Sequence, residues 1–135
     1  MDFLHPRPDD ATIGNMSALA LAHIGDGVYE IMTRSYLVCT GLQTARVLHA
    51  KTVELVRASA QYHAAQLLLP ILDEEEMTIF RHGRNAKPKS VPKAASQAEY
   101  AYATAVEALF GYLYLKGRYD RLNELYAAIA AKYQS

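Results

Sequence analysis

At 135 residues with 51% hydrophobic content, the chain holds enough apolar material for one continuous core, and so for one folded unit. Fourteen basic residues balance fourteen acidic ones, which excludes a generally basic nucleic-acid-binding protein and leaves any polyanion site to local clustering. The single cysteine, Cys39, excludes an internal disulfide and a cysteine-rich zinc site, and is expected as a packed core thiol.

Residues 1–14, with Pro6, Pro8, Asp9 and Asp10, read as an irregular lead-in, because proline and clustered acids oppose both helix and strand. The lead-in lacks the basic-then-apolar pattern of a secretory leader, and no apolar run approaches the roughly 20 residues that span a bilayer. A bacterial cytoplasmic address and a folded domain over 15–135 are therefore expected.

Over 17–40, Leu21, Ile24, Val28 and Ile31 recur at helical spacing, with Gly41 as the stop. Further helices are predicted over 44–58 (Val47, Leu48, Leu55, Val56) and over 59–69, before Pro70. Asp73 then precedes three glutamates, a cap and three anions at the positive end of a helix that reaches Arg81. Residues 83–95 carry two prolines and no apolar period, and read as a loop. Ser96 and Glu99 form a capping box ahead of the stripe Tyr102, Val106, Leu109, Phe110 and Leu113, and a last helix is predicted over 119–133. No alternating strand pattern of useful length occurs, so the expected fold class is all-α, with about six helices around one core.

Two carboxylates stand in unusual places. Asp26 lies between Gly25 and Gly27, inside a helix where each glycine costs about 1 kcal/mol relative to alanine. Its face-mates Ala22, Tyr29 and Thr33 are too apolar for open water, and a lone acid there is costly to desolvate. Glu107 repeats the theme, with Ala103 one turn before it and Gly111 one turn after. Brought together by helix packing, the two acids suit Mg²⁺, which prefers oxygen ligands and keeps several waters. The alternative on spacing alone is that Asp26 caps a break at Gly25 and that Glu107 pairs with a basic residue elsewhere.

The stretch SALALAHIGDGVYEIMTRSYLV (17–38), centred on Ile24-Gly25-Asp26, resembles the signature helix of the ribonuclease III family in its Mini-ribonuclease III form. Residues 102–117 resemble that family's second acidic motif, centred on Val106-Glu107-Ala108-Leu109 and Gly111. Between them, Arg81-His82-Gly83-Arg84-Asn85-Ala86-Lys87 resembles the Mini-ribonuclease III loop. The resemblance implies a Mg²⁺-dependent endonuclease for double-stranded RNA, with Asp26 and Glu107 as metal-binding catalytic acids, 5′-phosphate and 3′-hydroxyl ends, and the 23S ribosomal RNA precursor as substrate. It also implies a homodimer whose two sites face one RNA groove. Full-length ribonuclease III carries two further acids where this chain has Ala22 and Thr104, so a reduced site completed by water and RNA phosphate oxygens is expected. With no room for a separate double-stranded-RNA-binding domain, affinity is expected from the catalytic domain itself.

From Arg81 to Lys93 there are five basic residues and no acid, a patch suited to phosphate. Arg81, Arg84, Asn85, Lys87, Lys89 and Lys93 are the expected RNA contacts, suited to the shape of an A-form duplex rather than to base reading. The five histidines show no ligand pair at helical spacing, with His23, near Asp26, the one worth testing. Most of the ten tyrosines fall at core spacing. Two rival functions follow from the same residues. One is a non-catalytic RNA-binding or ribosome-assembly protein on the same fold, and the other is a helical nucleotide phosphohydrolase, against which the lack of adjacent His and Asp ligands counts.

Overall fold

The structure, a computed structural model, describes residues 1–41, 43–86 and 96–134. Among the described residues seven α-helices follow one another: α1 (Asp10–Gly14), α2 (Ala18–Cys39), α3 (Ala45–Val56), α4 (Ala58–Leu68), α5 (Glu74–Asn85), α6 (Gln97–Leu115) and α7 (Tyr119–Ala130). No strand occurs among the described residues, and no helix there is long and apolar enough to cross a membrane.

Local chemistry sets where the helices begin. The side chains of Asp9, Ser17 and Thr44 each accept an amide hydrogen from the first turn of α1, α2 and α3. Asp73 and Ser96 open α5 and α6 with complete capping boxes, closed by Glu76 and Glu99. Arg57, in extended conformation, breaks the chain between α3 and α4 without a side-chain cap.

Helix α6 is the axis of the molecule, packed against α2, α4 and α5. Ala105, Val106, Ala108, Leu109, Phe110 and Leu113 on it have no exposed surface. Each large apolar side chain buried this way contributes about 1.5–3 kcal/mol. Tyr29 of α2 lies against Phe110 and Tyr126, with ring centroids 5.1 and 5.7 Å apart, which locks α2, α6 and α7 together. Tyr112 and Tyr126 are also buried, in keeping with the core role expected for most tyrosines.

The acidic run at the start of α5 does more than complement the helix dipole. Glu76 is only 1% exposed and takes a two-pronged bond from Arg121 of α7, both contacts at 2.8 Å. That guanidinium holds the Glu76 carboxyl below the usual carboxylate range.

Four expectations shift. Ile31 was placed on the core stripe of α2, yet it is 59% exposed, because the face buried against α6 is Leu21, Ala22, Gly25, Val28, Tyr29, Thr33 and Leu37. Cys39 is exposed rather than packed, since the last turn of α2 carries it beyond that face. Gly83 to Asn85 continue α5 instead of opening the loop: a Cβ on Gly83 would lie 2.8 Å from the Ala105 Cα, so glycine here serves helix contact rather than a turn. Within the lead-in, residues Asp10–Gly14 form α1, which buries Ile13.

The closest helix contact is α2 on α6. A Cβ on Gly25 would stand 1.6 Å from the Glu107 carbonyl oxygen, and one on Gly111 would stand 2.0 Å from the Leu21 carbonyl oxygen. Backbone meets backbone there, and no side chain can give way. Gly25→Ala or Gly111→Ala is expected to cost about 2–3 kcal/mol or more in urea unfolding. Gly14→Ala, where a Cβ meets nothing within 4 Å, should stay within about 0.5 kcal/mol.

Candidate active site

The Gly25–Gly111 crossing decides where the two acids go. Asp26 follows Gly25 directly and Glu107 lies one turn before Gly111, so the contact of the two backbones brings one carboxyl from each helix to the same place. The Asp26 carboxylate stands close enough to Glu107 for its charge to act on the Glu107 carboxyl. Asp26 stands at the solvent edge, whereas Glu107 is partly buried behind it.

Burial pushes the Glu107 carboxyl up to about 8, the neighbouring Asp26 charge adds to the rise, and a hydrogen bond from Gln61 opposes it. The donor is the Gln61 amide, with Nε2 3.3 Å from Glu107 Oε2. Among the described residues, no lysine, arginine or histidine is ion-paired with Asp26 or Glu107. The reading in which Glu107 pairs with a basic residue therefore finds no partner there. Two oxygen acids pressed together without a cation are a donor set that fits a hard divalent ion.

The set is small. Among the described residues no three His, Cys, Asp or Glu side chains converge, so His23 does not join the pair. The Ala22 and Thr104 positions are buried, and the Thr104 hydroxyl is spent on the Tyr100 carbonyl of its own helix at 2.9 Å. Protein thus supplies two carboxylates at most, and the remaining coordination positions of any ion fall to water or substrate.

Of the expected RNA contacts, Arg81 and Asn85 are exposed and Arg84 is half-buried on the last turn of α5. Arg84 Nε donates to Asn85 Oδ1 at 3.4 Å. Gly83 seats this turn on α6 at Thr104, Ala105 and Ala108, the residues that flank Glu107 in sequence, so the basic turn sits at the same level of α6 as the acid pair. Lys87, Lys89 and Lys93 lie outside the described residues.

Gln61 is the member of this site that sequence reading missed. It shares the buried face of α4 with Ala64, Ala65 and Leu68, and one polar residue on an otherwise apolar stripe was the available signal.

These features define a helical nuclease-like domain, and comparison with known proteins says which. The Ribonuclease III domain profile matches residues 19–118. A Mini-ribonuclease 3 of a Thermoanaerobacter species is 42% identical over 82% of this chain and 78% of that protein. The Mini-ribonuclease 3 of Symbiobacterium thermophilum is 44% identical over 83% of this chain and 86% of its own length. A crystal structure of a Fusobacterium nucleatum protein superposes with a TM-score of 0.82 at 28% identity, covering 91% of this chain and 98% of that one. The chain belongs to the ribonuclease III family of endoribonucleases, within its Mini-ribonuclease 3 group.

The raised Glu107 carboxyl has a consequence for the metal-free protein. Its folded value lies above the ordinary 4.5, so its contribution to stability is complete below the ordinary value and is lost as pH rises through the folded one. In chelator, the melting temperature of the wild type should fall from about pH 5 to about pH 8 relative to Glu107→Gln. Parallel curves for the two proteins would contradict the assigned environment.

Proposed function

We propose that this endoribonuclease cuts double-stranded RNA in a Mg²⁺-dependent reaction, with Asp26 and Glu107 as the metal-binding catalytic acids. The observation that carries the proposal is the partly buried Glu107 carboxyl beside the charge of Asp26, with no ion-paired cation among the described residues. Two repelling acids in such a place cost stability unless a cation offsets their charge. A non-catalytic RNA-binding protein on the same fold would gain nothing from them.

A divalent ion bound there would lower the pKa of a bound water and offset the charge that develops on the scissile phosphate. The chain's own part is to present two oxygen ligands at a fixed separation from two rigid helices, and to leave the solvent side of Asp26 open to a phosphodiester. Water then displaces the 3′-oxygen at phosphorus, leaving a 5′-phosphate and a 3′-hydroxyl, with no covalent enzyme intermediate. The end of α5, with Arg81, Arg84 and Asn85, together with Lys87, Lys89 and Lys93, contacts the duplex backbone. The substrate implied by the resemblance to Mini-ribonuclease III is the 23S ribosomal RNA precursor in the bacterial cytoplasm.

Two copies of the chain act together as a homodimer. Support comes from the outer face of α2, where Ile31 and Val38 are each 59% exposed in line with Gly27. A Cβ at Gly27 would meet nothing within 4 Å, so the single chain offers no packing reason for that glycine. A second helix approaching closely would supply one.

On a defined RNA duplex with Mg²⁺, Asp26→Ala and Glu107→Ala should each lose about 100-fold or more in cleavage rate. Wild-type cleavage by either variant would remove the proposed site. In duplex binding, Arg84→Ala should lower the slope of log affinity against log salt by about 0.9, one phosphate contact's worth. An unchanged slope would place RNA elsewhere. Ile31→Asp combined with Val38→Asp should sediment as a monomer where the wild type sediments as a dimer.

A further inference from the structure

The side chain of Gln61 is 2% exposed, yet it holds three polar relationships of different kinds. Its Nε2 donates to the Val56 carbonyl at 2.7 Å and to Glu107 Oε2 at 3.3 Å. Its Oε1 is buried and has no hydrogen-bond partner among the described residues. A carboxamide carries two hydrogens on nitrogen, and here each has a separate acceptor. The Val56 carbonyl ends α3 and can only accept, so it decides which way the amide faces. With the amide so pinned, the second hydrogen is always directed at Glu107.

A joint between α3 and α4 that needed only packing would be filled by an apolar side chain, as Ala64, Ala65 and Leu68 fill the rest of this face. Burying an acceptor without a partner among the described residues costs folding free energy, so packing alone does not account for an amide here. Its donor end gives the amide a second role, because the N–H left over from the Val56 carbonyl is aimed at Glu107 Oε2. The same bond ties Oε2 down, restricting rotation of a carboxyl that is otherwise repelled by Asp26.

We propose that Gln61 is a positioning residue: anchored by the Val56 carbonyl, its amide holds the Glu107 carboxylate in the orientation that lets it share a divalent ion with Asp26. This inference rests on the reading of Asp26 and Glu107 as metal ligands. Gln61 does not touch substrate or metal, and it acts through Glu107. It also supplies, from a helix outside both family motifs, part of the order that further acids at the Ala22 and Thr104 positions would bring to a fuller site.

The test is calorimetric titration of Mn²⁺ into the metal-free protein without RNA, for the wild type, Gln61→Met, Gln61→Asn and Glu107→Gln. Methionine keeps the length of the side chain and removes the donor; asparagine keeps the amide but withdraws it by one methylene, and serves if the methionine variant does not fold. Either substitution should weaken Mn²⁺ binding roughly 10–100-fold, the usual effect of losing a group that orients a metal ligand. Cleavage should recover at raised Mn²⁺ concentration, because the ligands themselves remain. A folded Gln61 variant that binds Mn²⁺ as tightly as the wild type would overturn the inference, whatever its melting temperature. If instead the wild type binds no Mn²⁺, or Glu107→Gln binds it equally well, the metal site itself falls and Gln61 with it.

Discussion

The proposed active site depends on two helix backbones touching. Ordinary packing keeps helix axes 8–10 Å apart because side chains stand between them. At Gly25 and Gly111 there are none, and the Glu107 carbonyl and the Leu21 carbonyl occupy the space where Cβ atoms would be. The contact is short-range and unyielding, so it fixes the register of α2 on α6 more tightly than apolar burial alone would. Asp26 and Glu107 are carried to one place as a by-product of that register. The same device recurs at Gly83, which sets the basic end of α5 against α6 beside the residues flanking Glu107.

The electrostatics follow from this geometry. A carboxyl that is desolvated next to a like charge resists ionisation, and Glu107 shows the result. A cation at the proposed site would compete with a proton for the same oxygens, so its binding would release protons and strengthen as pH rises. Elsewhere the chain handles charge differently. Glu76 has almost no exposed surface, yet it is matched by Arg121 and stays easily ionised. The contrast separates a structural acid from one left uncompensated.

Much of this was legible in the residues. The capping boxes at Asp73 and Ser96, the period of α6 and the glycines around Asp26 announced the helices and the two acids, because caps and periodicity are local properties of sequence. What was not legible depends on which helix lies next to which. The apolar period of α2 put Ile31 inside, but contact through Gly25 turned the buried face toward Ala22, Tyr29 and Thr33. Gly83 looked like loop punctuation because its reason for being glycine lies in α6. Gln61 is not legible in the sequence because its meaning comes from two acceptors, one at the end of α3 and one on α6, 46 residues away.

The central claim is that one acid from each of two helices grips one ion. Anomalous diffraction from crystals of the protein grown with Mn²⁺ tests it most directly. The account requires an anomalous peak about 2–2.2 Å from an oxygen of both Asp26 and Glu107, with its remaining neighbours water or substrate oxygens. A peak bound elsewhere, or the two carboxyls turned apart with no ion between them at saturating Mn²⁺, would contradict it.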